Sequence, residues 1–104
     1  MSMDQETALE HAKVYAKLVG EQINPTKIVL YGSFAKGNWN ENSDIDIAVI
    51  VNKIDDDFLE LSKRLNKLTR NIDNRIEPVL LQIDEDRSGF LSSILKTGIT
   101  LYNN

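Results

Sequence analysis

The apolar positions change their period along the chain, and each change predicts an element. From about Thr7 to Gly20, Leu9, Ala12, Ala16 and Val19 recur at steps of three and four, with Ile23 one turn on. That spacing lines one face of a helix. His11 and Lys13 fall off the stripe, which assigns His11 a surface position. Gly20 predicts the helix stop, and Asn24-Pro25-Thr26 a turn. Lys27 to Tyr31 is short, apolar and β-branched at Ile28 and Val29, the pattern of a buried strand. Gly32 ends it, and Ser33 is placed to cap a short helix over Phe34 to Lys36. Gly37 to Ser43 is polar and reads as a loop. Ile45 to Val51 is almost continuously apolar, as a strand covered on both faces must be.

A polar break with three consecutive aspartates, Asp55 to Asp57, then predicts the capped start of a second long helix. This helix runs from about Asp56 to Asn71, with Phe58, Leu61, Leu65, Leu68 and Ile72 on one face. Ile76 to Ile83 is a third strand. Pro78 within it cannot donate to a ladder, so the strand lies at an edge or carries a bulge. Asp84 to Ser88 is a loop, Phe90, Leu91, Ile94 and Leu95 mark a short amphipathic helix closed by Gly98, and Ile99 to Tyr102 forms a last short strand. The order αβαβαβα, plus that strand, predicts an α+β (α/β) fold: one small sheet with helices packed against it.

Composition narrows the function. The 104 residues suit a single domain over the whole chain, residues 1–104. At 41% hydrophobic and 27% charged, the chain is of ordinary globular type. A net charge of −4 disfavours a grip on a nucleic-acid backbone, which needs a basic face. The absence of cysteine excludes disulfides, thiolate metal sites and cysteine nucleophiles. The polar start is no secretory signal, and no apolar run approaches the roughly 18 residues of a membrane span. The expected location is the cytoplasm.

Candidate chemistry gathers at the ends of the predicted strands. Asp44 and Asp46 are two apart at the opening of a strand, so their carboxylates share a face. Their repulsion would be offset by a divalent cation, and Mg²⁺ favours such oxygen ligands together with phosphate. A plain Asn-Ser-Asp turn accounts equally for Asp44 but leaves Asp46 unexplained. Gly32-Ser33 is either a turn with a serine cap or a phosphate cradle of N–H groups and a hydroxyl. It is no Walker loop, for the Gly-Lys-Ser/Thr ending is missing. Glu77 interrupts an apolar strand, either as a solvent-facing glutamate or as a third carboxylate able to bind metal or take a proton. Lys36 lies one short turn beyond the serine, within reach of phosphate or simply in solvent. Trp39, in the polar loop, contacts a base or partner or covers the edge of the core, and Tyr31 reads as core.

Leu30-Tyr-Gly-Ser-Phe-Ala-Lys-Gly37, ten residues from Ser33 to Asp44, and Asn42-Ser-Asp-Ile-Asp-Ile-Ala-Val49 together resemble the signature of the minimal nucleotidyltransferases, of the DNA polymerase β-like nucleotidyltransferase superfamily. Thr97-Gly-Ile-Thr-Leu-Tyr102 resembles the family's usual ending. The resemblance implies that Gly32 and Ser33 form the phosphate-binding turn, that Asp44 and Asp46 bind metal, and that Glu77 is the third carboxylate, often aspartate in relatives. Phe34 stands where relatives often carry arginine, and Lys36 keeps a positive charge. The implied reaction uses two Mg²⁺ ions and ATP, with pyrophosphate leaving as an acceptor hydroxyl attacks the α-phosphorus. Larger relatives, such as the aminoglycoside nucleotidyltransferases, add a helical domain for the acceptor. In 104 residues there is no room for one, so the acceptor site is expected to be completed in trans. Similar proteins pair with a helical HEPN toxin in toxin–antitoxin modules, where some transfer AMP to a tyrosine of the toxin. A partner-binding antitoxin without catalysis, and a nucleotidyltransferase for small molecules, are the alternatives.

Overall fold

The computed structural model describes residues 5–40, 42–54, 57–86 and 88–104. Among these, strands β1 (Lys27–Tyr31), β2 (Ile45–Val51), β3 (Ile76–Gln82) and β4 (Ile99–Asn103) form one mixed sheet in the order β3-β2-β1-β4. β1 runs antiparallel to both β2 and β4, whereas β2 and β3 are parallel. A parallel pair needs a crossover, and the helix α3 (Phe58–Leu68) supplies it. The other helices are α1 (Gln5–Ile23), α2 (Ser33–Lys36) and α4 (Phe90–Thr97).

Strand alternation divides the core into two layers. Ile28, Leu30, Ile45, Ile47, Val49, Val51, Ile76 and Leu80 pack with α1, through Ala8, Ala12, Tyr15, Ala16 and Val19, and with Leu65 of α3. The intervening positions Val29, Ala48 and Ile50 pack instead under Leu91 and Ile94 of α4. β2 is therefore covered on both faces, as its unbroken apolar run predicts. Pro78 lies on the outer strand β3, and the register there is unbroken, so it marks an edge and not a bulge.

Several boundaries differ from the sequence expectation. Gly20 does not stop α1, which continues to Ile23. A Cβ at Gly20 would stand 2.5 Å from Cε2 of Tyr102, so the glycine admits that ring where β4 passes the helix. The actual stop is Asn24, which adopts a positive φ of 50° and bonds its N–H to the Gly20 carbonyl at 3.1 Å. Asparagine tolerates this conformation better than most residues. At α3, Asp57 is the cap, its side chain accepting from the Leu59 N–H at 2.9 Å. Asp55 and Asp56 lie outside the described residues, as do Glu41 and Arg87 of the predicted loops. Phe58, expected on the buried stripe, is the first residue of α3 and is half-exposed. Gly98 closes α4 in an extended conformation, not a left-handed one, and a Cβ there would collide with the Val29 side chain and stand 2.8 Å from the Leu30 carbonyl oxygen. His11 is not a free surface residue, for its Nδ1 lies 2.9 Å from the nearly buried Asp73 carboxylate and ties α1 to the turn before β3.

Candidate active site

β1 ends in a turn that only glycine makes easily. Gly32 has φ 77° and ψ −152°, and a Cβ added to it would collide with Oδ2 of Asp46. The carboxylate thus lies directly against the glycine's backbone. Gly32, and not Ser33, takes the cap position of α2, with no side-chain capping bond. Ser33 becomes the first helical residue, and its carbonyl accepts the N–H groups of Gly37 (3.0 Å) and Asn38 (3.1 Å). Its hydroxyl makes no hydrogen bond to a described residue. In so short a helix the N–H groups of Ser33, Phe34 and Ala35 have no intrahelical acceptor.

The elements around this turn hold it in place. Phe34 is buried, and Trp39 stacks on it with ring centroids 5.6 Å apart and planes within 11°. Trp39 therefore covers the edge of the core. Gln5 Nε2 donates to the Phe34 carbonyl at 2.7 Å, fastening the start of α1 to α2. Phe34 contributes to packing where an arginine would offer charge. Lys36 ends α2 fully in solvent and forms no ion pair with a described residue.

Across the sheet, the register brings three side chains into a row. Asp46 of β2 pairs with Tyr31 of β1 on one side and with Glu77 of β3 on the other. Paired residues share a face, so all three lie on the side that α4 covers further along the strands. Asp44, expected to open the strand, lies just before it, for β2 begins at Ile45, and its side chain is exposed. Burial, then the charges of Asp44 and Glu77, push the Asp46 carboxyl above the ordinary carboxylate range. Burial, then Asp46 and Glu77, likewise push the Tyr31 phenol up. None of the three carboxylates hydrogen-bonds or pairs with a described residue.

Uncompensated anionic oxygens of this kind suit a hard divalent cation. Among the described residues, however, no three acidic or histidine side chains stand close enough to hold a metal unaided. Mg²⁺ commonly takes only one or two carboxylates and completes its shell with water and substrate phosphates. The donor set fits a cation shared with a polyphosphate, not a closed protein cage.

The sequence-predicted residues Gly32, Asp46 and Glu77 are thus neighbours, Asp44 and Ser33 flank them, and Lys36 stands apart at the rim. Tyr31, read from the sequence as core, is half-buried and stands in the carboxylate row. No parity signal sets it apart, for Val29 on its own face is buried as deeply as Ile28 and Leu30 on the other. Phe90 was expected on a buried helix face but is half-exposed, its ring edge-on to Tyr31 at 5.6 Å and 86°.

A family model described as Polymerase beta, Nucleotidyltransferase matches residues 13–104. No curated protein matches the sequence. The fold is similar to the crystal structure of a Sulfolobus solfataricus protein described as a candidate nucleotidyltransferase, with a TM-score of 0.69 and 20% identity, over 96% of this chain and 84% of that one. At that identity the likeness speaks to the fold alone. No helix among the described residues is long and apolar enough to cross a membrane.

Proposed function

The chain belongs to the polymerase beta nucleotidyltransferase family, and from that premise we propose that it is a Mg²⁺-dependent enzyme moving AMP from ATP to a tyrosine of a partner protein. The proposed partner is a helical HEPN toxin, silenced by the transfer, with this chain as its antitoxin. The observation that supports transfer most is one register: Asp46 stands between Tyr31 and Glu77, against the backbone of Gly32.

Asp44, Asp46 and Glu77 are the residues that would hold the metal. Mg²⁺ there supplies the positive charge that a triphosphate and a departing pyrophosphate require. The N–H groups of the Gly32-Ser33 turn and the free Ser33 hydroxyl bind phosphate oxygens. Lys36 adds a mobile positive charge at the rim. The acceptor oxygen bonds to the α-phosphorus, the bond to the bridging oxygen breaks, and pyrophosphate leaves with the electron pair. Glu77, exposed on the outer strand, takes the acceptor's proton. Positioning and fixed charge supply most of the rate.

The side from which an acceptor enters is open. Among the described residues α4 alone covers this face, and Leu91 and Ile94 pack over Val29, Ala48 and Ile50, further along the strands than Asp46. An external tyrosine can therefore approach the row from solvent. The test incubates the protein with α-labelled ATP, Mg²⁺ and the product of the adjacent gene. The expected result is label on a tyrosine of that neighbour with wild type and none with Asp44→Asn/Asp46→Asn. A folded wild-type protein that labels no acceptor refutes the proposal.

A further inference from the structure

Two aromatic rings border the site without a part in the transfer chemistry. Tyr31 closes β1 beside Asp46, and Phe90 opens α4 with its ring edge-on to Tyr31. Phe90 remains 41% exposed, while Leu91 and Ile94 are buried. The anchoring of α4 to the sheet thus falls to Leu91 and Ile94. Phe90 presents a large apolar surface to water, fixed in direction by a second ring.

Its position decides what such a surface can take. Along the row the order is Glu77 on β3, Asp46 on β2 and Tyr31 on β1, and the phosphate turn follows Tyr31 directly. The acceptor belongs at the Glu77 end, on the outer strand. The nucleoside end of a triphosphate held at Gly32-Ser33 then has the Tyr31 side left to it. We infer that Phe90, steadied by Tyr31, is the surface on which the base of the bound nucleotide stacks. This rests on the nucleotide site proposed above and adds how the base is held.

Among the described residues, the polar side chains of Asp86 and Ser88 beside Phe90 are already engaged. Asp86 accepts the N–H groups of Leu91 (2.9 Å) and Ser92 (3.1 Å) and the Ser92 hydroxyl, and the Ser88 hydroxyl accepts the Phe90 N–H at 3.3 Å. Those groups do not read base edges. Stacking alone tolerates every base. ATP and GTP therefore bind alike, and the smaller pyrimidine rings of CTP and UTP bind less tightly.

The test titrates ATP and inorganic tripolyphosphate, each with Mg²⁺, into wild type, Phe90→Leu and Phe90→Trp by calorimetry. Leucine keeps the apolar contact with Tyr31 and so the fold, but removes the aromatic face. Phe90→Leu is expected to weaken ATP roughly fivefold or more, the usual worth of one stacked base. Tripolyphosphate should bind all three proteins equally, and Phe90→Trp should hold ATP at least as well as wild type. Unchanged ATP affinity in Phe90→Leu, or equal weakening of both ligands, overturns the inference while the phosphate site stands. A wild-type protein that binds neither ligand overturns the site and the inference together.

Discussion

The Gly32→Ala exchange adds one methyl group where backbone conformation and site chemistry meet. At φ 77° and ψ −152°, Gly32 occupies a region almost closed to other residues. Holding alanine there costs about 1–3 kcal/mol. The new Cβ also collides with Oδ2 of Asp46 and stands 3.2 Å from its Cγ and 3.4 Å from its Cβ. The carboxylate tip, the far end of a flexible side chain, must swing away from the new methyl group, which turns its oxygens from their place between Tyr31 and Glu77. Two losses follow. The melting temperature falls by roughly 4–8 °C for each kcal/mol in a chain of this size. The proposed AMP transfer falls by as much as roughly a hundredfold, which misplacing a reacting group by about 1 Å can cost. Gly37→Ala is the control: Gly37 has φ 83° and ψ 9°, with nothing within 4 Å of an added Cβ. Its strain is about 1–2 kcal/mol, with no contact to the carboxylates. Thermal melts followed by circular dichroism and initial rates with α-labelled ATP measure both quantities. A Gly32→Ala protein that melts like wild type, or transfers AMP as fast as Gly37→Ala, refutes the reasoning.

Asp46→Asn should abolish transfer yet raise the melting temperature at neutral pH. Burial, then Asp44 and Glu77, raise the Asp46 pKa in the fold, so its ionisation opposes folding above that pKa and the gap to the variant closes on acidification; a variant that melts lower at pH 7 contradicts this. Tyr15→Phe removes a buried hydroxyl that donates to the Leu65 carbonyl at 2.7 Å and joins α1 to α3. A urea melt should show a loss of about 0.5–1.5 kcal/mol with no change in nucleotide affinity. Burial raises the Asp73 carboxyl, but hydrogen bonds from His11 and the Arg75 N–H, with the Arg75 and His11 charges, outweigh it and hold the pKa below the usual value. Its stabilisation is therefore complete above about pH 4 and is lost as pH falls through the lowered pKa; Asp73→Asn should flatten that acid limb of a stability–pH curve.

Both central strands follow their apolar runs, because a strand buried on two faces admits polar residues only near its ends, as Lys27 and Asp46 show. Pro78 narrowed β3 to an edge or a bulge, and the unbroken register on the outer strand decides for the edge. Elsewhere local rules met distant partners. Gly20 carries the mark of a helix stop, but its cause is the ring of Tyr102 at the far end of the chain. Ser33 is a fair cap by type, yet the conformation that frees Gly32 to meet Asp46 moves the cap back one residue. The spacing of Gly32-Ser33 and Asp44-x-Asp46 was legible because both lie on consecutive elements. Glu77 stayed open between solvent and site, since only the parallel pairing of β2 with β3 puts it beside Asp46. Tyr31 reads as core and Phe90 as part of an apolar helix face, but the burial of a ring depends on what covers it, and here Phe90 meets Tyr31 edge-on and stays half-exposed.

In the proposed function the row Tyr31-Asp46-Glu77, with the Gly32 turn, holds a metal-bound nucleotide. Paramagnetic broadening by Mn²⁺ with a non-hydrolysable ATP analogue tests it without knowledge of the acceptor. The expected result is that amide signals of residues 31–35, 44–47 and 76–77 broaden first, that α3 and the Tyr102–Asn103 end of β4 remain sharp, and that Asp46→Asn removes the effect. Broadening centred on the groove of Lys13, Lys17 and Tyr102 between α1 and β4, or unchanged by Asp46→Asn, would contradict it.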